Sequence, residues 1–137
     1  MTVLVDTSVW SLALRRKTRS KLSIEQVKQV RALERFIAEA QVALLGVVRQ
    51  EILSGIKDRN QFLRLRTFLQ GFPDVPLGGA DYERAAEMSN TCRSHGIAGH
   101  AIDFLICSVA ENRGWTIYSL DRDFEMYSKH LGLRLIP

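Results

Sequence analysis

Short runs of β-branched and other apolar residues alternate along this chain with longer segments of helical periodicity. The clearest short runs are 2–6 (TVLVD), 42–46 (VALLG) and 116–119 (TIYS). Between them, apolar residues recur every three or four positions, as they do on one face of a helix. Strands that alternate with helices form parallel sheets that those helices cover. The pattern therefore predicts an α/β fold.

The expected architecture is a three-layer α/β/α sandwich with a parallel sheet of about five strands. Segments 73–77 and 133–136 are predicted to add the fourth and fifth strands. Pro73 and Pro76 lack an N–H group, so segment 73–77 is expected at an edge of the sheet. Helices are expected at 7–14, from a capping box at Ser23 and Gln26 to about 40, and at 47–54, 57–70, 80–95, 97–112 and 122–129.

The composition narrows the class of protein. With 137 residues, 46% of them hydrophobic, the chain has the size and apolar content of one globular domain. We expect a cytoplasmic protein, because no signal peptide or run of roughly 20 apolar residues is recognisable. Cys92 and Cys107 form no C-x-x-C pattern and are expected to be reduced packing residues. The net charge of +4 modestly favours a polyanionic partner.

Four of the fifteen acidic residues stand at unusual positions. Asp6 and Asp121 follow two of the β runs, and ligands of open parallel sheets bind outside the carboxyl ends of the strands. Asp103 is the sole acid in the apolar segment 97–110, where an ionised carboxylate without a partner costs several kcal/mol. Glu51 lies between two apolar pairs.

Each of these carboxylates also has a purely structural interpretation. Asp6 and Asp121 each precede a helix, and aspartate is a preferred N-cap residue. Glu51 fits an exposed helix position facing a basic neighbour, Arg49 or Lys57, and Asp103 fits an ion pair with an arginine from elsewhere in the chain.

One hypothesis accounts for all four residues together. If the carboxylates converge, their mutual repulsion is offset by a divalent cation, and an all-oxygen ligand set selects Mg²⁺ or Mn²⁺ rather than zinc. Such an ion lowers the pKa of a bound water and stabilises charge on a phosphoryl group. The pattern therefore favours phosphodiester hydrolysis.

Four segments resemble, in order and spacing, the PIN-domain ribonucleases, and more narrowly the VapC toxins of VapBC toxin–antitoxin modules. They are VLVDTSVW (3–10), VVRQEILSG (47–55), RSHGIAGHAIDFLICSVA (93–110) and TIYSLDRDF (116–124). No motif is specific alone, but the ordered set is. The resemblance covers essentially the whole chain and implies a single PIN domain over residues 1–137.

The resemblance implies an acidic site for one or two Mg²⁺ or Mn²⁺ ions, with hydroxyl groups that orient the ligands. The implied catalytic and metal-binding acids are Asp6, Glu51, Asp103 and Asp121. The implied auxiliary metal ligand is Asp123, and the implied orienting hydroxyls are those of Thr7, Ser8 and Ser119.

The resemblance also implies a function and its partners. The implied activity is that of an endoribonuclease toxin that cleaves RNA, often tRNA or rRNA. The implied partners are a second copy of the chain and a cognate VapB-like antitoxin whose C-terminal segment reaches the acidic pocket. The alternative is a catalytically inactive PIN-like module that binds RNA or protein.

A run of basic residues, RRKTRSK (15–21), follows the first predicted helix. Such runs are most often simply solvated. The alternative is that the run contacts RNA phosphates at the rim of the acidic site. The residues predicted to make those contacts are Arg15, Arg16, Lys17 and Arg19.

Overall fold

A three-stranded parallel sheet lies at the centre of the fold. The computed structural model of the chain describes residues 1–15 and 21–137. Within these ranges the strands are β1 (Val3–Val5), β2 (Val42–Ala43) and β3 (Thr116–Tyr118), in the spatial order β2-β1-β3. Val3 is paired with both Val42 and Thr116, so β1 is the central strand and every one of its residues is buried.

Seven helices surround this sheet in the described part of the chain. They are α1 (Thr7–Leu14), α2 (Ile24–Ala38), α3 (Gly46–Leu53), α4 (Arg59–Leu69), α5 (Gly79–Ser94), α6 (Ala101–Arg113) and α7 (Asp123–Ser128). The predicted capping box is confirmed at the beginning of α2, where the Ser23 hydroxyl accepts from the Gln26 N–H and the Gln26 side chain accepts from the Ser23 N–H.

The expectation of about five strands is wrong, because the two outer segments each pair at a single position. Asp74 forms an isolated parallel bridge with Leu44, and Leu135 forms another with Ile117. Pro73 and Pro76 have no N–H group with which to extend the first bridge. Both segments nevertheless lie beside the outer strands in parallel orientation, so the α/β class with a parallel sheet is confirmed.

The beginning of α6 differs from the prediction in a way that matters for the site. A helix was expected from residue 97, but α6 begins at Ala101, and the four preceding residues are not helical. Asp103 therefore lies in the first turn of α6 rather than in the interior of a longer helix. Near the amino end of a helix, unpaired backbone N–H groups favour a negative charge.

The hydrophobic core is built on the sheet and on the helix faces packed against it. Trp10, Phe104 and Tyr127 are among its largest fully buried side chains. Cys92 and Cys107 are buried and form no disulfide, which agrees with their predicted packing role. Among the helices of residues 1–15 and 21–137, none has both the length and the apolar character needed to cross a membrane.

Candidate active site

Two of the predicted acids lie where neighbouring strands end. Asp6 directly follows β1, and Asp121 comes three residues after Tyr118, the last residue of β3. The Asp6 N–H donates to the Tyr118 carbonyl oxygen at 2.9 Å, which holds the two strand ends side by side. This is the edge of a parallel sheet where ligands bind.

An open cavity of about 440 Å³ lies at this edge. All four acids singled out from the sequence line it, although they come from different elements of the fold. The lining residues are Asp6, Thr7, Ser8, Glu51, His100, Ala101, Ile102, Asp103 and Asp121. The fold thus brings together carboxylates that are far apart along the chain.

Asp6 is oriented by hydroxyl groups. It stands before α1 but makes no side-chain capping bond to that helix. Instead its Oδ2 accepts from the hydroxyls of Ser8 at 2.8 Å and Ser119 at 2.7 Å. The Ser8 Oγ in turn accepts from the Leu120 N–H at 2.9 Å, which ties the carboxylate to the segment after β3. Ser8 and Ser119, two of the predicted orienting hydroxyls, therefore both contact Asp6.

Glu51 projects from α3 to the exposed rim of the cavity. Its Oε1 accepts from the Thr7 hydroxyl at 2.7 Å, so the third predicted hydroxyl contacts a different acid. Arg49 does not pair with Glu51, because its guanidinium contacts Asp74 at 2.9 Å and the carbonyls of Leu69 and Phe72. The position of Glu51 is therefore not explained by a pairing with Arg49.

Asp103 is a second buried acid of the cavity, 9% exposed, beside Asp6, which is 7% exposed. Burial raises the pKa of this carboxyl group to about 6. That value already includes two smaller effects: the Tyr127 hydroxyl, which donates to Oδ2 at 2.8 Å, lowers the pKa, and the charges of Asp6 and Asp121 raise it. Within residues 1–15 and 21–137, the side chain that donates to Asp103 is thus a tyrosine and not the arginine of the structural alternative.

A second group of acids overlaps the cavity. Asp103, Asp121 and Asp123 each offer a carboxylate oxygen, and these three oxygens all lie within 4.8 Å of one another. Asp121 is fixed at both ends, because its N–H donates to the Ser119 hydroxyl at 3.0 Å and its Oδ1 accepts from the Asp123 N–H at 2.9 Å. The Asp121 carboxylate therefore also supports the beginning of α7.

The predicted RNA-contacting run is only partly described. Arg15 lies with Ser8, Ser11 and Gln26 around a neighbouring cavity, and its guanidinium donates to the Ser54 carbonyl oxygen at 3.4 Å. Arg16, Lys17 and Arg19 lie outside the described residues.

The family model for the PIN domain matches residues 3–129 of the chain. This chain belongs to the PIN domain family. Among the relatives of this PIN domain are VapC ribonuclease Mb1587 of Mycobacterium bovis and ribonuclease VapC11 of Mycobacterium tuberculosis. Each is 29% identical to it over 136 residues, which cover 96% of both chains. The resemblance seen in the sequence is confirmed.

Solved structures show the same fold. FitAcB from Neisseria gonorrhoeae matches this PIN domain with a TM-score of 0.75 and 19% identity, over 99% of this chain and 97% of the other. VapBC2 from Rickettsia felis, bound to a DNA fragment from its promoter, matches with a TM-score of 0.75 and 19% identity, over 99% and 98% of the two chains. At this level of identity the matches establish the fold.

The donor set of the PIN domain fits a hard divalent cation. The groups of the acidic cluster are carboxylate oxygens, which Mg²⁺ and Mn²⁺ prefer and which are poor ligands for soft metals. The spacing of the oxygens of Asp103, Asp121 and Asp123, together with their mutual repulsion, suits a shared cation between α6 and the beginning of α7.

Sequence reasoning missed Tyr127, whose hydroxyl contacts Asp103. A signal was present, because Tyr127 follows Asp123 by four residues and lies one helical turn away on α7. A tyrosine at a buried helix position needs a partner for its hydroxyl group. That partner could not be named without the tertiary structure.

Proposed function

We propose that this PIN domain is a Mg²⁺- or Mn²⁺-dependent endoribonuclease that acts as the toxin of a type II toxin–antitoxin system. The observation that carries the proposal is that Asp6, Glu51, Asp103 and Asp121 line one cavity. Carboxylates held this close repel one another, and a divalent cation offsets that repulsion. The relatives named VapC ribonuclease support RNA as the substrate class.

The acidic side chains would serve as metal ligands in the proposed reaction. Asp103, Asp121 and Asp123 would hold the cation, with Asp6 and Glu51 as the further ligands of the site. When bound, the cation would lower the pKa of a water molecule and offset the charge that develops on the phosphoryl oxygens. Ser8 and Ser119 keep the Asp6 Oδ2 oriented, and Thr7 does the same for the Glu51 Oε1. Glu51 would have a second part: its other oxygen would accept a proton from the attacking water as the water oxygen bonds to phosphorus and the leaving ribose oxygen departs with the electron pair of the broken P–O bond.

The proposal is tested by incubating the purified protein with total RNA in the presence of Mg²⁺, of Mn²⁺ or of a chelator. Cleavage is expected only with a metal ion. Asp6→Asn and Asp103→Asn should each lower the rate by about 100-fold or more. Asp58→Asn is the matched control, because Asp58 lies at the N-cap of α4 and not in the cavity. Full activity of Asp103→Asn would rule out the assignment, and metal-independent RNA binding without cleavage would favour the inactive binding module.

The proposal includes two protein partners, a cognate VapB-like antitoxin and a second copy of the chain. The Rickettsia felis structure named above is of VapBC2. An apolar groove of about 450 Å³ shares Ala101 and Ile102 with the acidic cavity and supports a protein contact on this face. A cytoplasmic location, and tRNA or rRNA as substrate, belong to the same proposal.

The partner proposal has its own test. Ala86 is exposed on α5 and lines the apolar groove, so Ala86→Glu would place a charge there without entering the core. We expect this variant to weaken self-association, or capture of the antitoxin from the adjacent reading frame, in light-scattering and co-purification assays. Glu83→Gln, an exposed change on α5 away from the groove lining, is the control. Unchanged assembly of Ala86→Glu would show that this face is not the contact surface.

A further inference from the structure

The side chain of Tyr127 connects α7 with the first turn of α6 at the acidic cluster. Tyr127 is fully buried, and its hydroxyl donates to the Asp103 Oδ2 at 2.8 Å. A phenol has one proton to donate, and in this contact the proton is directed at the carboxylate. Oδ2 of Asp103 therefore accepts the hydrogen bond from Tyr127, and Oδ1 is the carboxylate oxygen that does not.

The same short helix carries an acid of the cluster. Asp123 is the first residue of α7, and Tyr127 stands four positions later, about one turn along the same face. The cluster combines Asp103 from α6 with Asp123 from α7 and Asp121 just before it. A hydrogen bond from Tyr127 to Asp103 therefore links the helices whose separation sets the distances between these oxygens.

Gly99 provides the space that this contact requires. A Cβ atom at position 99 would lie 2.5 Å from the Tyr127 hydroxyl oxygen and 2.8 Å from two ring carbons of Phe104. Real Cβ atoms essentially never approach other atoms so closely, and both neighbours are buried. A side chain at position 99 would therefore displace the tyrosine hydroxyl from Asp103.

We propose that Tyr127 is a positioning residue of the acidic site, whose hydroxyl, admitted by Gly99, orients the Asp103 carboxylate for a divalent cation. This inference rests on the proposed function, since it concerns the same site. Tyr127 acts through Asp103 and is too deeply buried to touch RNA itself. Groups that orient a metal ligand in this way commonly change metal affinity by 10–100-fold when removed.

The test is the affinity of the protein for Mn²⁺ alone, measured by isothermal titration calorimetry without RNA. Tyr127→Phe removes one oxygen and keeps the ring, and we expect it to bind Mn²⁺ about tenfold more weakly than the native protein. The matched control is Tyr118→Phe, because the Tyr118 hydroxyl donates to the Gln29 carbonyl oxygen at 2.7 Å, away from the acidic cluster. Tyr118→Phe should bind Mn²⁺ with native affinity.

A second variant separates positioning from a general loss of packing. Gly99→Ala should also weaken Mn²⁺ binding by about tenfold, because it displaces the hydroxyl. In the Tyr127→Phe background that hydroxyl is absent. Gly99→Ala should therefore weaken Mn²⁺ binding by a smaller factor there than it does in the native protein. Two independent packing defects would instead give additive losses, and additive losses would overturn the inference.

The outcomes distinguish this inference from the proposed function. If the native protein binds Mn²⁺ and Tyr127→Phe binds it equally well, the role of Tyr127 is refuted while the metal site stands. If the native protein binds no Mn²⁺, the proposed metal-dependent function is refuted and this inference with it. Weaker binding by Tyr127→Phe, native binding by Tyr118→Phe and non-additive losses for the double variant together support it.

Discussion

Two buried aspartates show that the environment of a residue can shift the pKa of the same chemical group in opposite directions. The Asp81 carboxylate accepts from the Arg113 guanidinium at 2.7 and 3.1 Å and from the Asn112 amide at 3.2 Å, and the hydrogen bond from Arg113 holds its pKa well below the usual range. Asp103 lies in the acidic cavity, and burial raises its pKa to about 6. The ionised Asp81 carboxylate is expected to stabilise the folded protein, whereas the ionised Asp103 carboxylate is expected to destabilise it.

Replacing Asp103 should therefore stabilise the metal-free protein. Between pH 3.8 and about 6, folded Asp103 binds more protons than unfolded Asp103, so the free energy of unfolding falls as the pH rises through this window. Above this window, the free energy of unfolding of Asp103→Asn should exceed that of the native protein by on the order of 1–2 kcal/mol. Below pH 4 the two free energies should converge. Urea denaturation in chelator at several pH values measures the difference. Equal stabilities at pH 7 would contradict the prediction.

The corresponding change at Asp81 should have the opposite sign. Asp81→Asn leaves the Arg113 guanidinium without its carboxylate, and we expect the free energy of unfolding at pH 7 to fall by about 2 kcal/mol. Because the pKa of Asp81 is lowered, its contribution is present above pH 3.8 and is lost as the pH falls below that value. The same urea series detects it, and a stability at or above the native value would contradict the prediction.

At the scale of elements, the segment between α6 and β3 connects the helix that carries Asp103 with the strand that leads to Asp121. Helix α6 has Asp103 in its first turn and ends at Arg113. Its C-cap residue is Gly114, whose φ of 69° is in the left-handed region. The chain then enters β3 at Thr116, and β3 leads to Asp121. The conformation at Gly114 therefore helps to set where Asp121 lies relative to Asp103.

Gly114→Ala should lower the free energy of unfolding by about 1 kcal/mol, because an L residue is strained at this positive φ. Steric contact does not contribute, since nothing lies within 4 Å of a Cβ atom placed there. Gly132→Ala is the matched control, because that site is equally open and its φ is not positive. The control should stay within about 0.5 kcal/mol of the native protein. Equal effects of the two changes in urea denaturation would show that the Gly114 conformation is not the cause.

At the scale of the whole molecule, an acidic cavity is combined with an excess of basic residues. The chain has 19 Lys and Arg residues and 15 Asp and Glu residues, which gives the formal charge of +4. A polyanion such as RNA is repelled by the cavity itself, so its approach depends on positive charge outside it. The basic run after α1 is the candidate for that role.

Neutralising this run should make RNA binding less dependent on salt. With Arg15, Arg16, Lys17 and Arg19 changed to glutamine, the slope of log affinity against log salt should become shallower by about 0.7 for each RNA phosphate that the protein no longer neutralises. Binding is measured in chelator to prevent cleavage, and Mn²⁺ affinity should be unchanged.

The control for this experiment neutralises four basic residues elsewhere in the chain. They are the exposed residues Lys57, Arg59, Arg64 and Arg66, on and just before α4. If both sets flatten the slope equally, net charge alone is responsible. If the first set leaves the slope unchanged, the run after α1 takes no part in binding.

Much of the fold follows from the sequence because its signals are local. The period of apolar residues distinguishes strand from helix within a few turns, and the capping box at Ser23 marks the beginning of α2. The α/β class and the order of elements could therefore be predicted. The placement of Asp6 and Asp121 after strands also follows from the chain alone.

The tertiary structure decided what surrounds each acid and how many strands form. Asp103 meets Tyr127, 24 residues away, and Asp6 meets Ser119, 113 residues away. Segments 73–77 and 133–136 pair at one position each, which their composition did not reveal. Residue types and periods are properties of the chain. Hydrogen-bond partners and strand pairings depend on which distant segments pack together, and only the folded molecule specifies that.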